Sequence, residues 1–449
     1  MAGAMAEAGH FSRLRSAAWW VLPLLGLIVI QTYLVFREPI FTPVDELQHT
    51  DYVRTIAEEG RLPIYGSGRI DPTLLAVYLH EYPAPFDPTH YKLPDYVYFD
   101  YEALQFPIYY MLAAPIYRVF DRDPRAAIYA LRLQNVLYSA GLLLVLMLML
   151  RRAFPRRPEV AALAPLTLLM MPGLSLRQSQ VTNQVLAALL LAVLFALLLQ
   201  KGKSNPGRVA FAEGALFGMA ILTKITVIGL GPSLLVAWMT RTGGLRQRVI
   251  PGGVGLGIAM LPWLAWSLSV YHSPLPWTTT HLDLSFCPCP PPNTTAGWER
   301  FLHDLWVSFV LPIEYAGPGY LRSSLMRVGL LAVPVGLALG LSWGVRALRD
   351  RGATNWRAAL LGLLALAGVC SGILGLDATL NRYASTDLRE VYIFAAPLVL
   401  LLGGAAASFT RRWTTLVIAA VLVLWLVIDY QMYSASGCPG CPPKWFRLP

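Results

Sequence analysis

The chain has 449 residues, of which 56% are hydrophobic and only 14% charged, and its formal charge is +10. A soluble domain carries about 25% charged residues, so the composition excludes a soluble globular protein and points to a polytopic membrane protein. The basic excess does not imply nucleic acid either, because the cations fall between apolar runs rather than on one soluble face.

A membrane crossing needs about 20 apolar residues. Apolar runs predict spans at 18–36, 126–150, 158–174, 183–200, 209–223, 225–240, 249–269, 324–345, 358–376, 391–409 and 415–430. The expected fold is therefore all-α, a single domain over 1–449 with about eleven transmembrane helices. The first run follows Arg13 and Arg15 and is too long for the apolar core of a signal peptide, so it reads as an anchor. Thr223-Lys224 breaks the apolar stretch 209–240 into two spans.

Charge sets the orientation. Arg151, Arg152, Arg156 and Arg157, then Lys201, Lys203 and Arg208, then Arg241, Arg246 and Arg248, then Arg346, Arg349, Arg351 and Arg357, then Arg411 and Arg412 all fall on the side of Arg13 and Arg15. The positive-inside rule makes that side cytoplasmic. The expected location is the plasma (inner) membrane, with the N-terminus cytoplasmic and the C-terminus extracytoplasmic. Residues 37–125 form the first outer loop, 270–323 the second and 431–449 an outer tail.

Within the first loop, Thr42 and Pro43 predict a helix start, Gly60 and Pro63 its end, and Pro43 to Glu59 the helix itself. Asp45, Gln48, His49 and Tyr52 then share one face. Taken singly, Asp45 reads as a third-position carboxylate favouring the helix start, and Glu46, Asp51, Glu58 and Glu59 as solvated groups. Residues 102–120 are apolar enough to mimic a span, yet counting them as one would put Arg151 and Arg152 outside. They predict instead a helix lying on the outer membrane face, started by Pro107 and bent by Pro115. This places Glu102 and Gln105 beside the Asp45 segment at headgroup level. A carboxylate there can take a proton from an acceptor hydroxyl, and a pair can hold a divalent cation against a phosphate.

Cys287 and Cys289 lie in the second outer loop, Cys438 and Cys441 in the tail, and Cys370 in a span. Four cysteines on one outer side read as disulfides stapling the tail, then as a four-thiolate zinc site, then as a redox pair. Asn293-Thr-Thr295 matches a glycosylation sequon, relevant only in a eukaryotic secretory pathway.

Pro43-Val-Asp45-Glu46-Leu-Gln-His49 followed by Gly60-Arg-Leu-Pro63 resembles the first outer loop of the GT-C superfamily of membrane glycosyltransferases, in particular the protein O-mannosyltransferase and lipid A aminoarabinose transferase group. Tyr101-Glu-Ala-Leu-Gln-Phe-Pro-Ile-Tyr-Tyr110, Ala130-Leu-Arg132, Gly218-Met-Ala-Ile-Leu-Thr-Lys224 and Leu388-Arg-Glu-Val-Tyr392 resemble further motifs of that superfamily, in the same order. Three positions depart from it. Asn183-Gln184 stands where Asn-Asp is common, no Arg-Asn pair precedes the second outer loop, and Leu388-Arg389-Glu390 stands for Gly-Arg-Tyr.

The resemblance implies inverting transfer of a sugar from a polyprenyl-phosphate donor, seated in a groove between spans, to an extracytoplasmic glycan, lipid or protein acceptor. In that scheme Asp45 is the general base, and Glu46 orients it or joins it in binding a metal. Glu102 is a second acid, and His49, Gln105, Lys224 and Arg389 bind the substrate. Arg132 and Arg382 read as cations snorkelling to the interface. The alternative is a non-catalytic protein that binds a polyprenyl lipid or envelope glycan. A transporter fits less well, since acids are scarce within the spans, Glu213 being the main exception.

Overall fold

The computed structural model describes residues 2–41, 45–81, 101–200, 205–241, 244–274, 324–350, 357–368 and 395–434, together with a few isolated positions. Among these, every regular element is helical. The helices are α1 (Ala2–Arg37), α2 (Glu46–Arg54), α3 (Pro72–Glu81), α4 (Ile108–Val119), α5 (Pro124–Ala153), α6 (Pro158–Leu169), α7 (Pro172–Gln178), α8 (Gln184–Leu198), α9 (Pro206–Ile221), α10 (Gly231–Thr240) and α11 (Gly244–Tyr271). After them come α12 (Ser324–Arg349), α13 (Arg357–Gly368), α14 (Ala395–Ala407) and α15 (Arg411–Ser434).

Each predicted span overlaps one or two of these helices, with 158–174 covering α6 and the start of α7, and 358–376 and 391–409 lying partly outside the described residues. Five helices are long and apolar enough to cross a membrane, and a sixth span forms if α6 and α7, which meet at 82°, count as one. Helices α8, α13 and α14, and the Ile225–Thr240 segment that includes α10, are apolar but shorter, 10–17 residues. Lipid-facing side chains such as Val29, Ile258 and Leu331 are exposed, as an apolar solvent requires.

Helices α9 and α11 pack closely at a set of glycines. A Cβ on Gly214 would collide with the Gly252 carbonyl, and one on Gly255 with the Phe211 carbonyl. Small residues at such a crossing let two membrane helices gain close van der Waals contact. This packing fixes the end of α9, which delivers Lys224.

The two ends of the bundle differ. At one end Arg157 donates to the carbonyls of Ala407 and Phe409, Arg152 to that of Ala196, and Arg241 to that of Gln200. These are the arginine-rich turns. The first-loop elements pack at the other end, where α2 and α4 share a core of Leu47, Tyr52, Tyr109, Tyr110, Ala113 and Tyr117. Helix α4 buries its tyrosines and exposes Met111, Leu112 and Val119, the two-faced pattern expected of an interfacial helix. Pro107 stands at its N-cap and Pro115 inside it.

Two expectations for this region change. Helix α2 begins at Glu46 rather than Pro43, because Asp45 sits in the left-handed region at φ 68°, which helical backbone cannot pass through. Asp45 is thus the N-cap, makes no capping hydrogen bond through its side chain, and is not a third-position carboxylate. After Arg54 the coil widens into a π-turn over Thr55–Glu59, and Gly60 at φ 67° ends it as predicted. Thr42, Pro43, Arg382, Arg389 and all five cysteines, Cys287, Cys289, Cys370, Cys438 and Cys441, lie outside the described residues.

Candidate functional site

A buried ion pair carries the frame of the site. The Glu46 carboxylate meets Arg132 in a two-pronged contact, with Nε to Oε1 at 2.8 Å and Nη2 to Oε2 at 2.8 Å. Arg132 also donates to the carbonyls of Val35, Glu38 and Pro39, at 3.1, 3.3 and 2.6 Å. Glu46 Oε1 accepts a further bond from the Val181 backbone at 2.9 Å. One acid and one guanidinium therefore join the end of α1, α2, α5 and the α7–α8 turn. Arg132 is fully buried, which overturns the expectation that it snorkels. Glu46 and Asp51 are buried too and are not solvated. Asp51 Oδ1 accepts from Arg54 Nε at 2.8 Å and from the Asp71 backbone at 3.1 Å. Burial pushes the Asp51 carboxyl up, with Arg54 opposing. Glu58 and Glu59 are exposed and reach Arg54, as solvated groups can.

Beside this frame lies a second polar cluster. His49 Nδ1 is 2.8 Å from the Tyr110 hydroxyl and 3.5 Å from Glu102 Oε2. Tyr110 stacks on Tyr52 at 3.8 Å, and the Tyr52 hydroxyl donates to the Gln105 carbonyl at 3.2 Å. Asn183 Nδ2 reaches Gln105 Oε1 at 3.4 Å and the Tyr110 hydroxyl at 3.5 Å. Asn183 is fully buried, and its Oδ1 has no hydrogen-bond partner among the described residues.

Two buried cations face the cluster. Lys224, 8% exposed, stands in extended backbone just past α9. Arg177, 5% exposed, comes from α7 and donates to Gln180 Oε1 at 3.0 Å. Burial, then Lys224 and Arg177, push the His49 imidazole down to about 3, so the ring is neutral and serves as a hydrogen-bonding group. The Ile108 backbone donates to the Leu222 carbonyl at 3.2 Å, and Phe106 packs on Trp263 at 4.8 Å, which ties the Glu102–Pro107 segment to the place where α9 ends.

Of the residues expected from sequence, the structure brings together Glu102, His49, Gln105 and Lys224. Asp45 begins the same helix and is half-buried in strained backbone. Glu46 points into the frame. Both of its oxygens are engaged, so a cation would have to displace a guanidinium, and among the described residues no three His, Cys, Asp or Glu side chains form a group able to hold a metal. The Asp45–Glu46 metal pair therefore gives way to a structural role for Glu46. Sequence reasoning did not single out Arg177. Its signal is the polar run Ser175-Leu-Arg-Gln-Ser-Gln180 between two apolar spans. Glu38 was missed as well. It accepts from Ser179 Oγ at 2.5 Å, and burial, against the pull of Arg132, pushes its carboxyl up to about 7. Glu213, the acid within a span, is accounted for by Arg241 at 2.6 Å and Trp238 Nε1 at 2.8 Å.

An apolar cavity of about 170 Å³ runs between α6, α12, α14 and α15, bounded by Leu168, Met171, Leu337, Leu402 and Trp425. It reaches the α6–α7 bend but is not lined by His49, Glu102 or Lys224.

The fold is similar to that of ArnT from Cupriavidus metallidurans. The apo structure superposes with a TM-score of 0.58 at 19% identity, over 96% of this chain and 68% of that one. The structure bound to undecaprenyl phosphate gives 0.52 at 18% identity, over 94% and 65%. The chain thus spans about two thirds of the length of that relative. A search of curated proteins finds no match. The expected GT-C fold is borne out. The sequence profile of glycosyltransferase family 87 covers residues 107–372, more than half of the chain, including Tyr110, Arg177, Asn183 and Lys224. The chain therefore belongs to glycosyltransferase family 87.

Proposed function

We propose that this protein transfers a sugar from a polyprenyl-phosphate donor to an extracytoplasmic acceptor, with inversion at the anomeric carbon. The observation that carries this reading is the meeting of His49, Glu102, Tyr110 and Asn183 with two buried cations, at the end of the bundle away from the arginine-rich turns. Lys224 and Arg177 receive the donor phosphate, whose negative charge grows as the glycosidic bond breaks. Fixed cations in a site of low dielectric stabilise that charge without reorganisation. Arg389, outside the described residues, is assigned to the same anion by its motif.

Asp45 acts as general base toward the acceptor hydroxyl. Its left-handed backbone is the kind of local strain that persists where the surrounding structure enforces a geometry. Glu102 is a second acid at the acceptor side, held by His49. The neutral imidazole orients Glu102 and Tyr110 rather than gripping phosphate as a cation. Gln105 and Asn183 supply hydrogen bonds to sugar hydroxyls. The site would then face outward from the plasma membrane, with the arginine-rich turns and the N-terminus cytoplasmic.

The test is release of polyprenyl phosphate from a polyprenyl-linked sugar by purified protein. Removing a general base lowers the rate by about 10²–10⁴, so Asp45→Asn should lose nearly all turnover. Equal release by wild type and Asp45→Asn, or no release by either, would leave a lipid-binding protein without this chemistry. The anomeric configuration of the product checks inversion.

A further inference from the structure

Glu38 is a buried acid that the transfer reaction leaves unassigned. It directly follows the end of α1 and is 3% exposed. Arg132 binds its backbone carbonyl but commits its guanidinium fork to Glu46. The Glu38 side chain turns instead to the segment that joins α7 to α8. Oε1 accepts from the Ser179 hydroxyl at 2.5 Å, and Oε2 accepts from Gln180 Nε2 at 3.4 Å.

Gln180 is equally buried, and its backbone is held from another side, because Asn135 Nδ2 donates to the carbonyls of Gln180 and Thr182. Its carboxamide links two groups of opposite need. Nε2 faces Glu38, and Oε1 accepts from Arg177 Nη1 at 3.0 Å. A carboxylate only accepts and a guanidinium only donates, so the amide fits between them in one orientation. The reverse orientation would set oxygen against the carboxylate and NH2 against the guanidinium. At the far end of this chain of bonds, Arg177 lies near enough to His49 to oppose its protonation. A guanidinium is planar and grips phosphate in a two-pronged way only when its plane meets the oxygens. A bond held on Nη1 restricts the turning of that plane.

We propose that Gln180 and Glu38 are positioning residues for the donor phosphate: Glu38 orients the Gln180 carboxamide, which in turn sets the Arg177 guanidinium. The proposal rests on the reading of Arg177 as a phosphate ligand and extends it to two groups that touch no substrate.

The experiment measures the dissociation constant of undecaprenyl phosphate for the full chain in detergent by native mass spectrometry, with a melting temperature for each variant. Arg177→Gln should bind about tenfold more weakly or worse, the loss of a charge-assisted contact. Gln180→Met keeps the length and removes both polar atoms. Glu38→Gln can present either oxygen or NH2 to Gln180, so the orientation of Gln180 is no longer enforced. Each should weaken binding by about threefold or more, as neighbours in one network do. In the Arg177→Gln background neither should weaken it further, because both act through that guanidinium. A merely structural role would move the melting temperature without this dependence on Arg177. Should Gln180→Met fail to fold, Glu38→Gln carries the same comparison. Undiminished binding in either folded variant, or losses that add to that of Arg177→Gln, overturns the positioning role. So does equal binding by Arg177→Gln and wild type, or no binding by wild type, since Arg177 would then hold no phosphate. The expected pattern of binding without release of polyprenyl phosphate from a sugar donor keeps the positioning role and overturns only the transfer reading.

Discussion

Two acid–arginine clusters sit at opposite ends of this bundle, and they differ in what surrounds them. At the arginine-rich end, Glu213 is filled by Arg241 and Trp238, and the neighbouring arginines cap carbonyls at the ends of helices. At the other end, the Glu46–Arg132 pair is equally well filled, but a looser set of polar groups lies beside it. His49 and Glu102 stand 3.5 Å apart, and the Asn183 carboxamide oxygen is buried without a partner among the described residues. A buried pair whose hydrogen bonds are complete is architecture. A buried polar set with spare bonding capacity, set beside two buried cations, is suited to receive a ligand. The lesson is to look one shell beyond the strongest salt bridge.

That contrast can be broken by mutation. The largest effect should come from Arg132→Ala, which strands a buried carboxylate and three carbonyls. Loss of one partner of a buried pair costs about 3–5 kcal/mol, and denaturation of the purified variant measures it. A smaller effect should follow Gly214→Val, because the added side chain must push α9 from α11. Overpacking of this kind costs about 1–3 kcal/mol. Since α9 delivers Lys224, donor binding should weaken along with stability.

Acid and base behaviour sharpens the comparison. The folded Glu38 carboxyl lies above its ordinary value, at about 7 against 4.5, so its contribution is present at low pH and lost as pH rises through 7. The folded His49 imidazole lies below its ordinary value, at about 3 against 6.5, so the unfolded chain binds the extra proton and stability falls as pH drops from 6.5 toward 3. Between pH 4.5 and 6.5 the two slopes oppose each other. Glu38→Gln removes one of them. Its melting temperature should therefore begin to fall below about pH 6.5, where wild type holds until about pH 4.5, at roughly 1.4 kcal/mol per pH unit. Parallel melting curves for the two proteins would show that these groups are not shifted as described. The smallest effect should be that of Glu58→Ala, which removes an exposed partner of Arg54. Exposed pairs contribute about 0–1 kcal/mol, and a change of several kcal/mol would show that exposure does not separate the two kinds of pair.

Much of the fold was legible because its signal is local. Apolar run length marks the long helices, and the α4 pattern marks a helix with one buried and one exposed face. The Thr223-Lys224 break marks the end of α9, and motif order brought Glu102, His49, Gln105 and Lys224 together on paper. What stayed hidden depends on distant partners. Arg132 looked like an interfacial cation because its ligands, Glu46 and the carbonyls of residues 35–39, lie 86–97 residues away in sequence. Asp45 looked like an ordinary first-turn acid because nothing in the sequence announces a left-handed backbone at a non-glycine residue. Arg177 entered the site only through the 82° bend between α6 and α7, which Pro172 permits and run length cannot show.

The most direct measurement is a paired one on two carboxylates of similar burial, Glu46 and Glu102, comparing thermal stability and donor turnover in Glu46→Gln and Glu102→Gln. The account predicts that Glu102→Gln keeps its melting temperature and loses at least about tenfold in rate, while Glu46→Gln melts early. A Glu102→Gln protein that turns over donor like wild type, or one that unfolds as Glu46→Gln does, would contradict the division between frame and site.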